Sequence, residues 1–116
     1  NKLRLDSLVK QLQFSNPATP ILLTTPPDSS MSRKYYNVGV AAMHESIVEY
    51  AKENNLAVWD LFSLAGGYKS CYQWKKYGLL RSDGVHFNRK GYELQGNLMY
   101  EALIKAYNEY VSAGFR

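Results

Sequence analysis

The chain has 116 residues, enough for one domain or part of one with a real core. An apolar share of 46% with ten tyrosines and two tryptophans excludes a disordered chain. The net charge is +4, but the basic residues are scattered in runs no longer than two, which reads as solvated faces rather than a nucleic-acid footprint. No apolar run approaches the roughly 18 residues of a membrane span.

Leu3, Leu5, Leu8, Val9 and Leu12 recur at helical spacing, and predict an amphipathic helix over about 2–13. Asn16-Pro17 and Pro20 break it. Ile21 to Thr25 is a short β-rich run stopped by Pro26-Pro27, as expected of a buried strand in a parallel sheet. Asp28-Ser29-Ser30 opens a polar loop with possible helix caps. A second helix follows over about 36–54, marked by Val40, Met43, Ile47 and Tyr50, and closed by Asn54-Asn55. Leu56 to Leu61 is the second strand expectation. Residues 63–80 contain the loop signal Gly66-Gly67 and the aromatics Tyr72, Trp74 and Tyr77, which fit either a short helix or a packed loop. A long helix is expected over about 88–113, capped by Asn88, stopped by Gly114, with Leu94, Leu98, Met99, Ala102, Leu103, Ala106, Tyr107 and Tyr110 along one side. The alternation of helix and strand predicts an α/β domain with a parallel sheet.

The chemistry concentrates in Ser82-Asp83-Gly84-Val85-His86-Phe87-Asn88. A histidine exchanges protons near pH 7, and a carboxylate three residues away can fix its tautomer and stabilise the imidazolium. The bland alternative makes Asp83 a turn residue and His86 a polar lead-in to the last helix. Position favours chemistry, because ligands in open α/β sheets sit beyond the carboxyl ends of the strands. His44, inside the second helix, reads as structural or solvent-facing. Neither it nor the lone Cys71 completes a metal-ligand spacing with His86, so no metal is expected. Trp74 and Tyr77, which just precede the Asp83 loop, are candidates for lining a substrate cleft. Ser29, Ser30 and Ser32 follow a strand without the pattern of a nucleophile elbow.

The run Asp83-Gly84-Val85-His86-Phe87-Asn88-Arg89-Lys90-Gly91-Tyr92 resembles the last block of the SGNH (GDSL-like) esterases and acylhydrolases. Pro20 to Pro27 resembles that family's penultimate-strand segment, and Val58 to Phe62 its last strand. Trp74 to Leu80 resembles the lead-in of members similar to peptidoglycan O-acetylesterases. The resemblance implies a three-layer α/β/α, flavodoxin-like fold, here its C-terminal portion as a single partial domain with about two parallel strands and three main helices. It implies His86 as general base and Asp83 as its orienting partner in a serine esterase acting on carboxylic esters, acetyl esters of carbohydrates in particular, in an extracytoplasmic setting. No zinc, nucleotide or flavin is implied. The Gly-Asp-Ser block and the oxyanion Gly and Asn have no counterpart in residues 1–116, so the resemblance places them upstream. A half-sheet would leave the edge of the Ile21–Thr25 strand open, and self-association is expected there. The rival reading is a non-catalytic carbohydrate-binding or interaction module that keeps a degenerate half-site.

Overall fold

The computed structural model describes residues 2–32 and 34–114. Helix α1 (Lys2–Leu12) leads into strand β1 (Leu22–Thr24), then a small hairpin of β2 (Ser30–Met31) and β3 (Tyr35–Tyr36). Helix α2 (Val38–Glu53) crosses to strand β4 (Ala57–Trp59), followed by the short helices α3 (Leu61–Leu64) and α4 (Ser70–Lys76) and the long α5 (Arg89–Ser112).

Strands β1 and β4 pair in parallel, with Leu22, Leu23 and Thr24 opposite Ala57, Val58 and Trp59. The fold is therefore mixed α/β with a parallel pair joined through a helix, as expected. Both strands are shorter than the sequence predicts, and for β4 the reason is visible at Asp60. Its carboxylate accepts from the Ser63 N–H at 3.1 Å and caps α3, so Asp60 and Leu61 leave the strand and start a helix. The hairpin β2–β3, with Ser30 opposite Tyr36, was not anticipated. It is too short to show as an alternating pattern.

Asn37 caps α2 by accepting from the Gly39 N–H at 3.2 Å, and the helix closes at Asn54. Its buried residues Tyr50 and Ala51 face inward, while Met43, expected on that side, is exposed. Helix α1 lies on α2: Val9 is buried and the Tyr50 hydroxyl donates to Asp6 at 3.1 Å. Leu3, Leu8 and Leu12 are exposed, so only part of the predicted stripe is covered. The region that resisted assignment from sequence folds as a turn through Gly66 and Gly67 and then as α4. That helix ends where Gly78, at φ +71°, sends its N–H to Lys75 O at 3.0 Å and Leu79 sends its N–H to Trp74 O at 2.9 Å.

Helix α5 has 24 residues, about 36 Å of helix. Gly91 in its first turn is its one buried residue among those described. Met99, Ala102, Leu103 and Ala106 look across an apolar gap toward Leu22, Ala57, Val58 and Trp59 on the sheet. Beyond them Ile104, Tyr107 and Tyr110 are exposed, so the long apolar side expected from sequence is only half covered.

Candidate active site

The segment from Leu79 to Asn88 is a closed loop whose two arms are tied together. Leu80 and Phe87 form an antiparallel bridge, Asn88 N–H bonds to Leu79 O at 3.0 Å and Arg81 N–H to His86 O at 2.8 Å. Asn88 closes the base twice: its Oδ1 accepts from Gly91 N–H at 3.0 Å, capping α5, and its amide donates to Gly78 O at 2.6 Å. A side chain at Gly91 would overlap Leu79 O, so the bare glycine lets α5 start directly against the loop. Leu80, Phe87 and Cys71 are buried together, with Tyr72 and Trp74 packed against them.

The tip carries Asp83 and His86. Asp83 Oδ1 accepts the backbone N–H of Val85 at 2.9 Å and of His86 at 3.0 Å, a self-contained turn that fixes the carboxylate. Its Oδ2 lies 2.8 Å from His86 Nδ1. The His86 backbone N–H, with the imidazole and the Val85 N–H adding to it, holds the Asp83 carboxyl well below the usual carboxylate range. An ionised carboxylate only accepts, so Nδ1 carries the proton and the lone pair of neutral His86 sits on Nε2. The His86 side chain is 61% exposed, against 34% for Asp83, and Nε2 has no hydrogen-bond partner among the described residues. This is a histidine with one nitrogen anchored and the other free to accept a proton.

The loop is docked on the segment after β1. Ser30 N–H bonds to Gly84 O at 3.0 Å, and its hydroxyl donates to the same carbonyl at 3.2 Å. Gly84 sits at φ +70°, and any side chain there would overlap Ser30 Oγ. Ser30 is buried and its hydroxyl is engaged with this backbone, while Ser29 accepts from the Asn37 amide at 3.3 Å. Neither bonds to His86.

Trp74 and Tyr77 take different places. The indole N–H of Trp74 donates to Ala65 O at 2.8 Å, and its ring lies on Phe87 with centroids 5.1 Å apart. It supports the loop from beneath. Tyr77 is 74% exposed, and its side chain has no hydrogen bond or ring contact among the described residues.

A second Ser, His and Asp meet at the ends of the parallel strands. His44 Nε2 is 2.9 Å from Asp60 Oδ2 and stacks on Phe62 at 4.5 Å; the Ser63 hydroxyl donates to the same carboxylate oxygen at 2.7 Å. Thr25 donates to Asp60 Oδ1 at 3.0 Å and accepts from Phe62 N–H at 2.9 Å. Burial pushes the Asp60 carboxyl up, but the bonds from His44, Ser63 and Thr25 outweigh it and hold it at about 2. Ser63 Oγ also lies 3.3 Å from His44 Nε2. An ionised Asp60 only accepts, however, so the imidazole and the hydroxyl both donate to it, and the cluster ties β1 to the start of α3. His44, expected as structural or solvent-facing, has a side chain 18% exposed within this cluster. Asp60 and Thr25 were missed as its partners, because the sequence reading put Asp60 inside the second strand.

Cys71 is buried beside Asp28, whose Oδ2 accepts the Cys71 backbone N–H at 3.1 Å. Burial, then the carboxylate of Asp28, pushes its thiol up to about 12, which makes it inert as a nucleophile. Among the described residues no three His, Cys, Asp or Glu side chains gather as a metal site, and no helix is long and apolar enough to cross a membrane.

Residues 4–99 match the family described as GDSL-like Lipase/Acylhydrolase. Among solved structures, the fold is shared with one described as a peptidoglycan O-acetylesterase in action (TM-score 0.84, 23% identity, 93% of this chain and 32% of that one). It is also shared with the esterase domain of the ZfL2-1 ORF1 protein from the zebrafish ZfL2-1 retrotransposon (TM-score 0.67, 24% identity, 90% of this chain and 57% of that one). The chain thus spans a third of the first neighbour's length and somewhat over half of the second's. No curated protein matches its sequence. With the family pattern running through both strands, the hairpin, the Asp83–His86 loop and the start of α5, the chain belongs to the GDSL-like lipase/acylhydrolase family.

Proposed function

We propose that this chain supplies the proton-transfer end of a serine esterase, with His86 as general base and Asp83 as the residue that orients it. The observation that carries the reading is the pair itself: Nδ1 held at 2.8 Å by an ionised carboxylate, and Nε2 exposed and unpartnered among the described residues. Membership in an acylhydrolase family and a fold shared with two esterases support ester hydrolysis in general.

In this reading a serine from beyond residues 1–116, where no Gly-Asp-Ser occurs, attacks the acyl carbon as its proton passes to His86 Nε2. The tetrahedral intermediate collapses, the ester C–O bond breaks, and the imidazolium returns the proton to the departing alcohol. Water then attacks the acyl-enzyme, giving its proton to Nε2, and the carboxylic acid leaves as the serine recovers its hydrogen. Asp83 stays ionised throughout and balances the imidazolium charge. The oxyanion donors, like the serine, come from the rest of the domain, of which residues 1–116 form the C-terminal part. We propose an acetyl ester on a carbohydrate as substrate, on the likeness to a peptidoglycan O-acetylesterase. Alone, residues 1–116 self-associate through the open edge of β1.

The test is turnover of 4-nitrophenyl acetate by the intact protein. His86→Ala lowers kcat by about a thousandfold or more, and Asp83→Asn has a comparable or smaller effect. A His86→Ala protein that keeps more than about a tenth of kcat overturns the assignment.

A further inference from the structure

Three tyrosines and one lysine form a surface group that the proton-transfer pair does not use. Tyr36 on β3 meets Tyr72 of α4 edge-on with centroids 5.1 Å apart, and Tyr68 in a tilted arrangement at 5.6 Å. The Lys69 ammonium lies over the Tyr36 ring at 4.4 Å and over Tyr68 at 5.6 Å. Tyr36 is 45% and Tyr68 41% exposed, so both rings reach the surface of the described residues. Lys69, the residue that opens α4, holds φ +74°, a region that L side chains rarely adopt.

The charge on Lys69 is uncompensated by any ion pair among the described residues. Asp28 is buried and bonded to the Cys71 N–H. What remains at the surface is a cation held in place on two aromatic rings, with the phenol groups around it. Aromatic rings take the C–H faces of sugars, and a prepositioned ammonium takes an anion at a smaller loss of side-chain freedom than a free lysine would.

The group is also tied to the loop that bears His86. Tyr36 pairs with Ser30 across the hairpin, and Ser30 holds Gly84. Tyr72 packs on the same buried set, Cys71, Leu80 and Phe87, that underlies His86. Both supports of the aromatic group are therefore supports of the loop.

We infer that Tyr36, Tyr68, Tyr72 and Lys69 form a subsite for an acidic glycan, one carrying carboxylate groups, beside the Asp83–His86 loop. The inference takes the carbohydrate-ester reading as its starting point and narrows its substrate to polyanionic chains. The binding test needs no turnover. The intact protein is titrated with oligogalacturonides and, as a neutral control of equal length, xylo-oligosaccharides, followed by intrinsic fluorescence. The acidic chain binds at least about tenfold more tightly, and its affinity falls as salt rises. Lys69→Gly, which suits the φ of that position, abolishes the preference while the thermal midpoint holds or rises; Lys69→Arg keeps the preference. Absence of oligogalacturonide binding, equal affinity for both sugars, or an unchanged preference in Lys69→Gly overturns the subsite. An acidic preference together with full turnover by His86→Ala leaves the subsite standing and removes the esterase reading. Normal His86-dependent turnover of 4-nitrophenyl acetate without any sugar preference removes the subsite alone.

Discussion

The hydroxyl of Ser30 occupies the space that a side chain at Gly84 would need, across a separation of 54 residues. Gly84→Ala therefore meets two costs, the overlap with Ser30 and an L residue at φ +70°. A loss of about 1–3 kcal/mol is expected in urea unfolding, and Ser30→Gly in the same chain recovers part of it. Gly96→Ala is the control. Gly96 lies within α5 with open space where a methyl would stand, so the change stabilises by about 0.5–1 kcal/mol. A Gly84→Ala loss that Ser30→Gly does not reduce would mean that the overlap with Ser30 is not what the glycine avoids.

Asp60 predicts an acid limb. Its carboxyl is depressed in the fold to about 2, so the stability it contributes is present above the unfolded value of about 3.9 and is lost as pH falls through about 2. Asp60→Asn should cost about 1–3 kcal/mol at pH 7, because the clamp loses its charged acceptor for His44, Ser63 and Thr25. Between pH 4 and 2 the variant's urea midpoint should fall less steeply than the parent's. Parallel curves would show that Asp60 is not the group that titrates.

Cys71 should be silent toward a thiol reagent. The thiol is buried and raised to about 12, so at pH 8 almost none is thiolate. With Ellman's reagent the folded chain should react at the rate of its opening and immediately in guanidinium chloride. Rapid stoichiometric reaction without denaturant would contradict the packing of Cys71 against Leu80 and Phe87.

The open sheet predicts association. Among the described residues β1 pairs with β4 alone, Leu22 at that edge is exposed, and Leu103 of α5, on the same apolar gap, is exposed too. Light scattering during size exclusion should show dimers or larger species at high micromolar concentration. A lone species of 13.3 kDa with a cooperative melt would show that the chain satisfies its own edge.

Features whose causes are local were legible in the sequence. Asp83 bonds the N–H groups of Val85 and His86, two and three residues on, and its ring partner is His86 itself, so the spacing alone brought the pair together. Asn88 as cap is local in the same sense, and the parallel order of the two strands followed from the helix between them, which returns the chain to the same end of the sheet. What only the tertiary structure decided are contacts between distant segments: Ser30 with Gly84, Asp28 with the Cys71 backbone 43 residues away, and His44 with Asp60. Nothing in the sequence alone says that Asp60 will end a strand to serve a histidine on another helix. Trp74 and Tyr77 are three residues apart and looked alike, yet one is turned inward onto Phe87 and the other outward. Leu8, Leu12 and Met43 carry the periodicity of a buried face and remain exposed. Periodicity reports which side of a helix is apolar, and whether anything lies against that side depends on where the other segments pack.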